Sequence, residues 1–137
     1  MPHANPKPDD QIPEEGINPM IIGNCTYSVR DYLRSGEMDL LDFAAYNADI
    51  GITALEYNDM FFEDFSDETI AAVRGSAEDA GCEIVCLTCG GNLASDDEEA
   101  NTEQVEVFKE RLQNANALGA GAVRFNIGST GDEARDM

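Results

Sequence analysis

Three times this chain runs from a helix-like stretch through a glycine straight into a short apolar strand. The segments are Ala48–Tyr57 (ADIGITALEY), Asp79–Leu87 (DAGCEIVCL) and Ala117–Phe125 (ALGAGAVRF). Their hinge glycines, Gly51, Gly81 and Gly119, lie 30 and 38 residues apart. Glycine closes a helix in the left-handed conformation at no steric cost, and such spacings suit successive strand–helix units. With one more strand near the start, the pattern predicts an α/β fold of four parallel strands alternating with three helices. Folds of this kind place their active sites at the C-terminal ends of the strands.

Residues 1–18 carry four prolines (Pro2, Pro6, Pro8, Pro13), acidic residues and little apolar content, which predicts a disordered arm. His3, the sole histidine, falls in it and is not expected to bind metal or catalyse. The folded part is expected over 19–137, beginning with a strand at Met20–Ser28 and a loop at Val29–Gly36. In Met38–Ile50, helical spacing puts Leu40, Leu41, Ala44, Ala45 and Ala48 on one face. The second strand is Ile52–Tyr57, and Ser66 caps a helix with Ile70, Val73, Ala77 and Ala80 inward. Glu83–Thr88 is the third strand. Ser95 with Glu98 fits a capping box for a helix to Leu118 with Val105, Phe108, Leu112 and Ala115 inward. Ala122–Ile127 is the fourth strand. Closing a barrel of such units takes eight of them and about 250 residues, so an incomplete barrel, a fragment, is expected.

The formal net charge is −20, and only two of the eight basic residues are lysine, Lys7 and Lys109. Acid is spread over every expected helix rather than gathered in a tail, the surface pattern of a salt-loving organism's protein. It repels phosphate backbones, so no nucleic-acid partner is expected. No run of residues reaches the roughly 18 apolar positions of a membrane span, and no leader-like start is present. Four cysteines without a leader fit reduced thiols in a cytoplasm.

Cys82, Cys86 and Cys89 have the spacing of the iron–sulfur motif of radical S-adenosylmethionine enzymes. A cluster needs the thiolates to converge from a loop, whereas strand alternation sends Cys82 and Cys86 to one face and Cys89 to the other. Buried small hydrophobes are the better account of Cys82 and Cys86. Cys89-Gly90-Gly91-Asn92 and Gly128-Ser129-Thr130-Gly131 follow strands and offer backbone amides, yet neither is a complete phosphate loop. Polar residues at strand ends say more. Glu56 and Asn58 share one face of the second strand, and Arg124 and Asn126 one face of the fourth. A charge inside a barrel rim is costly unless it meets a ligand or a partner. A Glu56–Arg124 ion pair and a substrate site are equally open readings. Tyr27, Asn92 and Asn126 add hydrogen-bonding groups for a polyhydroxy ligand. Tyr57, Phe61, Phe62 and Phe65 gather around the second-strand loop, to pack under a helix or to wall a sugar pocket.

Thr26-Tyr27-Ser28, Leu40-Leu41-Asp42-Phe43, Gly51–Tyr57, Ala80–Leu87, Asn92-Leu93-Ala94 and Ala117–Arg124, in this order, resemble the sugar phosphate isomerase/epimerase family of xylose isomerase-like TIM barrels. The resemblance covers about Met20 to Gly128, roughly the first half of a family member. It implies a sugar, sugar phosphate or polyol substrate. It also implies a divalent metal (Mn²⁺, Mg²⁺ or Zn²⁺) held by carboxylates and a histidine on later strands, absent here. No metal ligand and no proton-transfer acid is therefore carried over to this segment. Glu56 and Arg124 match the family's second-strand glutamate and fourth-strand arginine, with supporting or substrate-facing roles. A related branch, the endonuclease IV type, places zinc-binding histidines where this chain has Thr88-Cys89-Gly90 and Asn126-Ile127-Gly128, which argues against DNA repair. Two other partners stay open: the missing C-terminal half, or a second copy in a non-catalytic half-barrel homo-oligomer.

Overall fold

The computed structural model describes residues 19–131; the expected arm, with His3, lies outside the described residues. Four strands, β1 (Gly23–Cys25), β2 (Ala54–Asn58), β3 (Glu83–Cys89) and β4 (Ala122–Phe125), form one sheet. All neighbours are parallel, and spatial order follows chain order. Helices α1 (Arg30–Ser35), α2 (Asp42–Asp49), α3 (Asp67–Asp79) and α4 (Glu98–Leu118) fill the crossovers. The hinge glycines behave as the sequence demands, with φ of 82° at Gly51, 70° at Gly81 and 81° at Gly119. This is an α/β sheet of barrel-type units that does not close among the described residues.

The first crossover differs from expectation. It holds two short helices, so the α-helices among the described residues number four, because α1 closes on left-handed Gly36 inside the stretch read as a loop. The apolar stripe also moves. Phe43, Ala44 and Asn47 are buried in α2, whereas Leu41 and Ala45 face solvent. A helix starting at Asp42 leaves Leu40 and Leu41 in the linker, and the inward face begins at Phe43. Asn47 is tolerated inside because its amide donates to Phe43 O (2.7 Å) and its Oδ1 accepts from Asn24 (2.8 Å).

Ser66 caps α3 as expected, accepting from the Thr69 amide, and Ile70, Val73 and Ala77 are buried. The cap of α4 is Asp97 rather than Ser95; its Oδ1 accepts from the amides of Glu99 (2.9 Å) and Ala100 (3.3 Å). Along α4, Phe108, Ala115 and Leu118 are buried, but Val105 and Leu112 are exposed. Leu112 overlooks an open groove beside β4, where no further helix stands among the described residues. Phe43, Leu55, Tyr57, Val73, Leu87 and Leu118 form the centre of the core between sheet and helices.

One irregularity changes the faces of β3. Leu55 pairs with Ile84 but Glu56 pairs with Cys86, so Val85 is an extra residue in the ladder. The alternation therefore slips by one. Cys82, whose Sγ lies 3.6 Å from Ala44 O, and Cys89, fully buried, both point to the helices, while Cys86 stands on the opposite face beside Glu56 and Thr88. The expected pairing of Cys82 with Cys86 on one face is thus overturned by the bulge. The three thiols still diverge. No helix among the described residues is long and apolar enough to cross a membrane.

Candidate functional site

The sheet face turned away from the helices would line the inside of a barrel. Because the core takes Leu55, Tyr57, Leu87, Cys89, Val123 and Phe125, alternation leaves Cys25, Glu56, Asn58, Cys86, Thr88, Arg124 and Asn126 on this other face or its rim. Register draws them together: Cys25 lies beside Glu56, Glu56 beside Cys86, Asn58 beside Thr88, and Thr88 beside Arg124.

Glu56 is the hub. Thr88 donates its hydroxyl to the Glu56 carboxylate. Arg124 Nη1 lies 4.0 Å from Glu56 Oε1, the outer limit of an ion pair, and its Nη2 donates to Asn126 Oδ1 at 3.4 Å. The Glu56 side chain is 26% exposed and that of Arg124 63%, so this is a half-open pair at the rim rather than a buried one. Cys25 and Cys86 flank it. Burial pushes both thiols up from the ordinary range, and the Glu56 charge adds to the rise.

Asn58 is bonded toward β1 instead. It is 8% exposed, and its Oδ1 accepts from Thr26 Oγ1 (2.8 Å), Cys25 Sγ (3.0 Å) and the Tyr27 amide (3.2 Å). The Asn58 amide returns a bond to Thr26 Oγ1 at 2.9 Å. These bonds fix the 3-10 turn Thr26–Val29 on top of β1. Thr26→Val keeps the shape but strands the Asn58 backbone N–H, while Asn58 Oδ1 keeps its Cys25 and Tyr27 donors, so it is expected to cost about 1–3 kcal/mol in urea unfolding. A change within about 0.5 kcal/mol would remove that clasp from the fold. Tyr27 stands exposed on this turn, with the Arg30 guanidinium 4.8 Å above its ring.

The remaining rim is also tied sideways. Asp59 Oδ1 accepts from the Gly90 amide (3.1 Å), joining the loops after β2 and β3. Asn92 accepts from Ala94 and donates to Ser129 O (3.3 Å), while the Leu93 amide donates to Ile127 O (2.7 Å). These bonds join the loops after β3 and β4. A side chain at Gly128 would fall 2.4 Å from Asn92 Oδ1, so only glycine allows this closeness. Of the residues expected at the site, Glu56, Arg124 and Asn126 therefore meet one another, whereas Asn58, Asn92 and Tyr27 belong to the rim.

The aromatic group lies on the helix side. Phe43 and Tyr57 meet edge-on at 5.3 Å, Tyr57 and Phe62 at 6.1 Å, and Phe62 stacks on Phe65 at 4.5 Å. It packs under helices instead of walling the barrel face. Thr88 and Cys25 carry no sequence signal of a site role; the Val85 bulge is what turns Thr88 toward Glu56.

Among the described residues no three His, Cys, Asp or Glu side chains come together as a metal site. The single carboxylate of the cluster already accepts from Thr88 and faces a guanidinium.

The family model described as the xylose isomerase-like TIM barrel matches residues 44–137. A crystal structure from Rhodospirillum rubrum, provisionally named a xylose isomerase, superposes with a TM-score of 0.64 at 17% identity. The match takes in 85% of this chain and 42% of that one, so this chain spans less than half of its structural relative. No curated protein matches the sequence. With more than half its length under the family model and parallel strand–helix units in barrel order, the chain belongs to the xylose isomerase-like TIM barrel family.

Proposed function

We propose that the chain supplies the first four strands of a metal-dependent barrel that isomerises or epimerises a sugar, sugar phosphate or related polyol. The observation that carries this is the Glu56–Thr88–Arg124 cluster at the strand ends on the inner face. Glu56, fixed by Thr88, holds Arg124 across the rim. With its nearest carboxylate contact at 4.0 Å, Arg124 keeps N–H donors for a substrate oxygen, and Asn126 adds an amide beside it. The metal, and the acids that move the proton, are expected on the strands that complete the barrel; no step is assigned to them here. Four free cysteines suit a reducing cytoplasm, and the acid-rich surface suits multimolar salt.

The test uses the chain together with whatever coding sequence follows Met137, assayed by NMR for aldose–ketose or epimer interconversion in Mn²⁺ and Mg²⁺. Arg124→Ala removes a charge-assisted hydrogen bond worth about 1.5–3 kcal/mol, so kcat/KM should fall roughly 10–150-fold. Unchanged kinetics would end the substrate-facing role. A second reading rests on the open sheet: β1 and β4 have no outer partner among the described residues, and unpaired edges invite association. A half-barrel dimer without catalysis would then sediment at twice the monomer mass in high salt, unmoved by Mn²⁺. A folded monomer would dismiss it.

A further inference from the structure

A groove of about 540 Å³ lies on the helix side, between the α1–α2 linker and the first turns of α3. That volume is within the ordinary range of binding clefts, about 300–1,000 Å³. Neither β1 nor β4 contributes to its lining. Its apolar wall is Leu33, Met38, Leu41 and Phe61, with Leu41 42% exposed. Its polar residues include Asp39, Glu63 and Glu68, and among the described residues no lysine, arginine or histidine lines it.

These features select an occupant. At low ionic strength a second copy would bring another net charge of −20 against three carboxylates. Anionic lipid and nucleic acid meet the same objection. A free sugar would waste the apolar wall. What satisfies both surfaces is an apolar stripe flanked by lysine or arginine, laid into the groove as a helix. We propose that this groove docks a basic amphipathic helix of another protein.

The test titrates the intact chain into a fluorescein-labelled Leu/Lys peptide of about 18 residues, with its leucines on one helical face. Anisotropy is read at the lowest KCl concentration at which near-UV circular dichroism shows the native fold. Glu63→Lys with Glu68→Lys should weaken binding about tenfold, and Leu41→Ser about threefold without any charge change. Glu103→Lys with Glu110→Lys, the same charge reversal on exposed α4 positions away from the groove, should change it less than about twofold. Equal loss from both charge pairs would mean diffuse attraction to an acidic surface and overturn the proposal. So would an unaffected Leu41→Ser, or no binding. A dimer of the free chain that Leu41→Ser disperses would assign the groove to a second copy, and would overturn it too.

Discussion

Truncating Phe43 to alanine is expected to cost about 3–5 kcal/mol, the usual toll of a large cavity in a packed core. Phe43 is fully buried and meets Tyr57 edge-on, and Tyr57 in turn meets Phe62, so the cavity would open where α2 crosses the sheet. A domain of this size holds about 5–15 kcal/mol in all, and this sheet is open on both sides. The variant should therefore lose its near-UV signal at room temperature or unfold at much lower urea. Leu41→Ala is the control. Leu41 belongs to the apolar stripe read from the sequence yet lies 42% exposed, so its truncation should cost less than about 0.5 kcal/mol. A larger loss at Leu41 than at Phe43 would show that the sequence stripe, not the observed one, faces the sheet.

Thermal stability should climb steeply with salt. Twenty-eight acids face eight bases, and α4 alone bears Glu98, Glu99, Glu103, Glu106 and Glu110 against Lys109 and Arg111. The few exposed pairs, such as Arg74 with Glu78 and Lys109 with Glu106, offset little of this. Repulsion reaches about 10 Å at 0.1 M salt and about 3 Å at 1 M, so most of it vanishes over that interval. Removing a few kcal/mol of it should raise Tm by on the order of 10–20 °C between 0.1 and 2 M KCl. Potassium chloride is the right salt because sulfate would also strengthen apolar burial. A Tm flat across that range would dismiss the salt-loving reading.

What the sequence made legible follows from chemistry that leaves a local mark. Positive φ at a helix end needs glycine, so Gly51, Gly81 and Gly119 announced the units directly. A charge within an apolar strand is equally conspicuous, and Glu56 and Arg124 did come together. The bulge at Val85 left no such mark, because valine suits a regular strand and a bulge alike; Thr88 and the cysteine faces were lost with it. Periodicity likewise reports which residues share a helix face, not whether a neighbour covers that face. That is why Val105 and Leu112 read as core and stand in solvent. The short α1 was hidden because six residues give too little periodicity to register.

The sideways bonds at the strand ends act together like a hoop on a half-built cask. Asn58 holds the turn after β1 to β2, Asp59 holds the next loop to Gly90, and Asn92 with Leu93 holds the loop after β4. The loops at the strand ends are thus tied to one another by the four described strand–helix units themselves. In the barrel proposed above, further strands would meet loops that these bonds already order, so that ordering would not weigh against their docking.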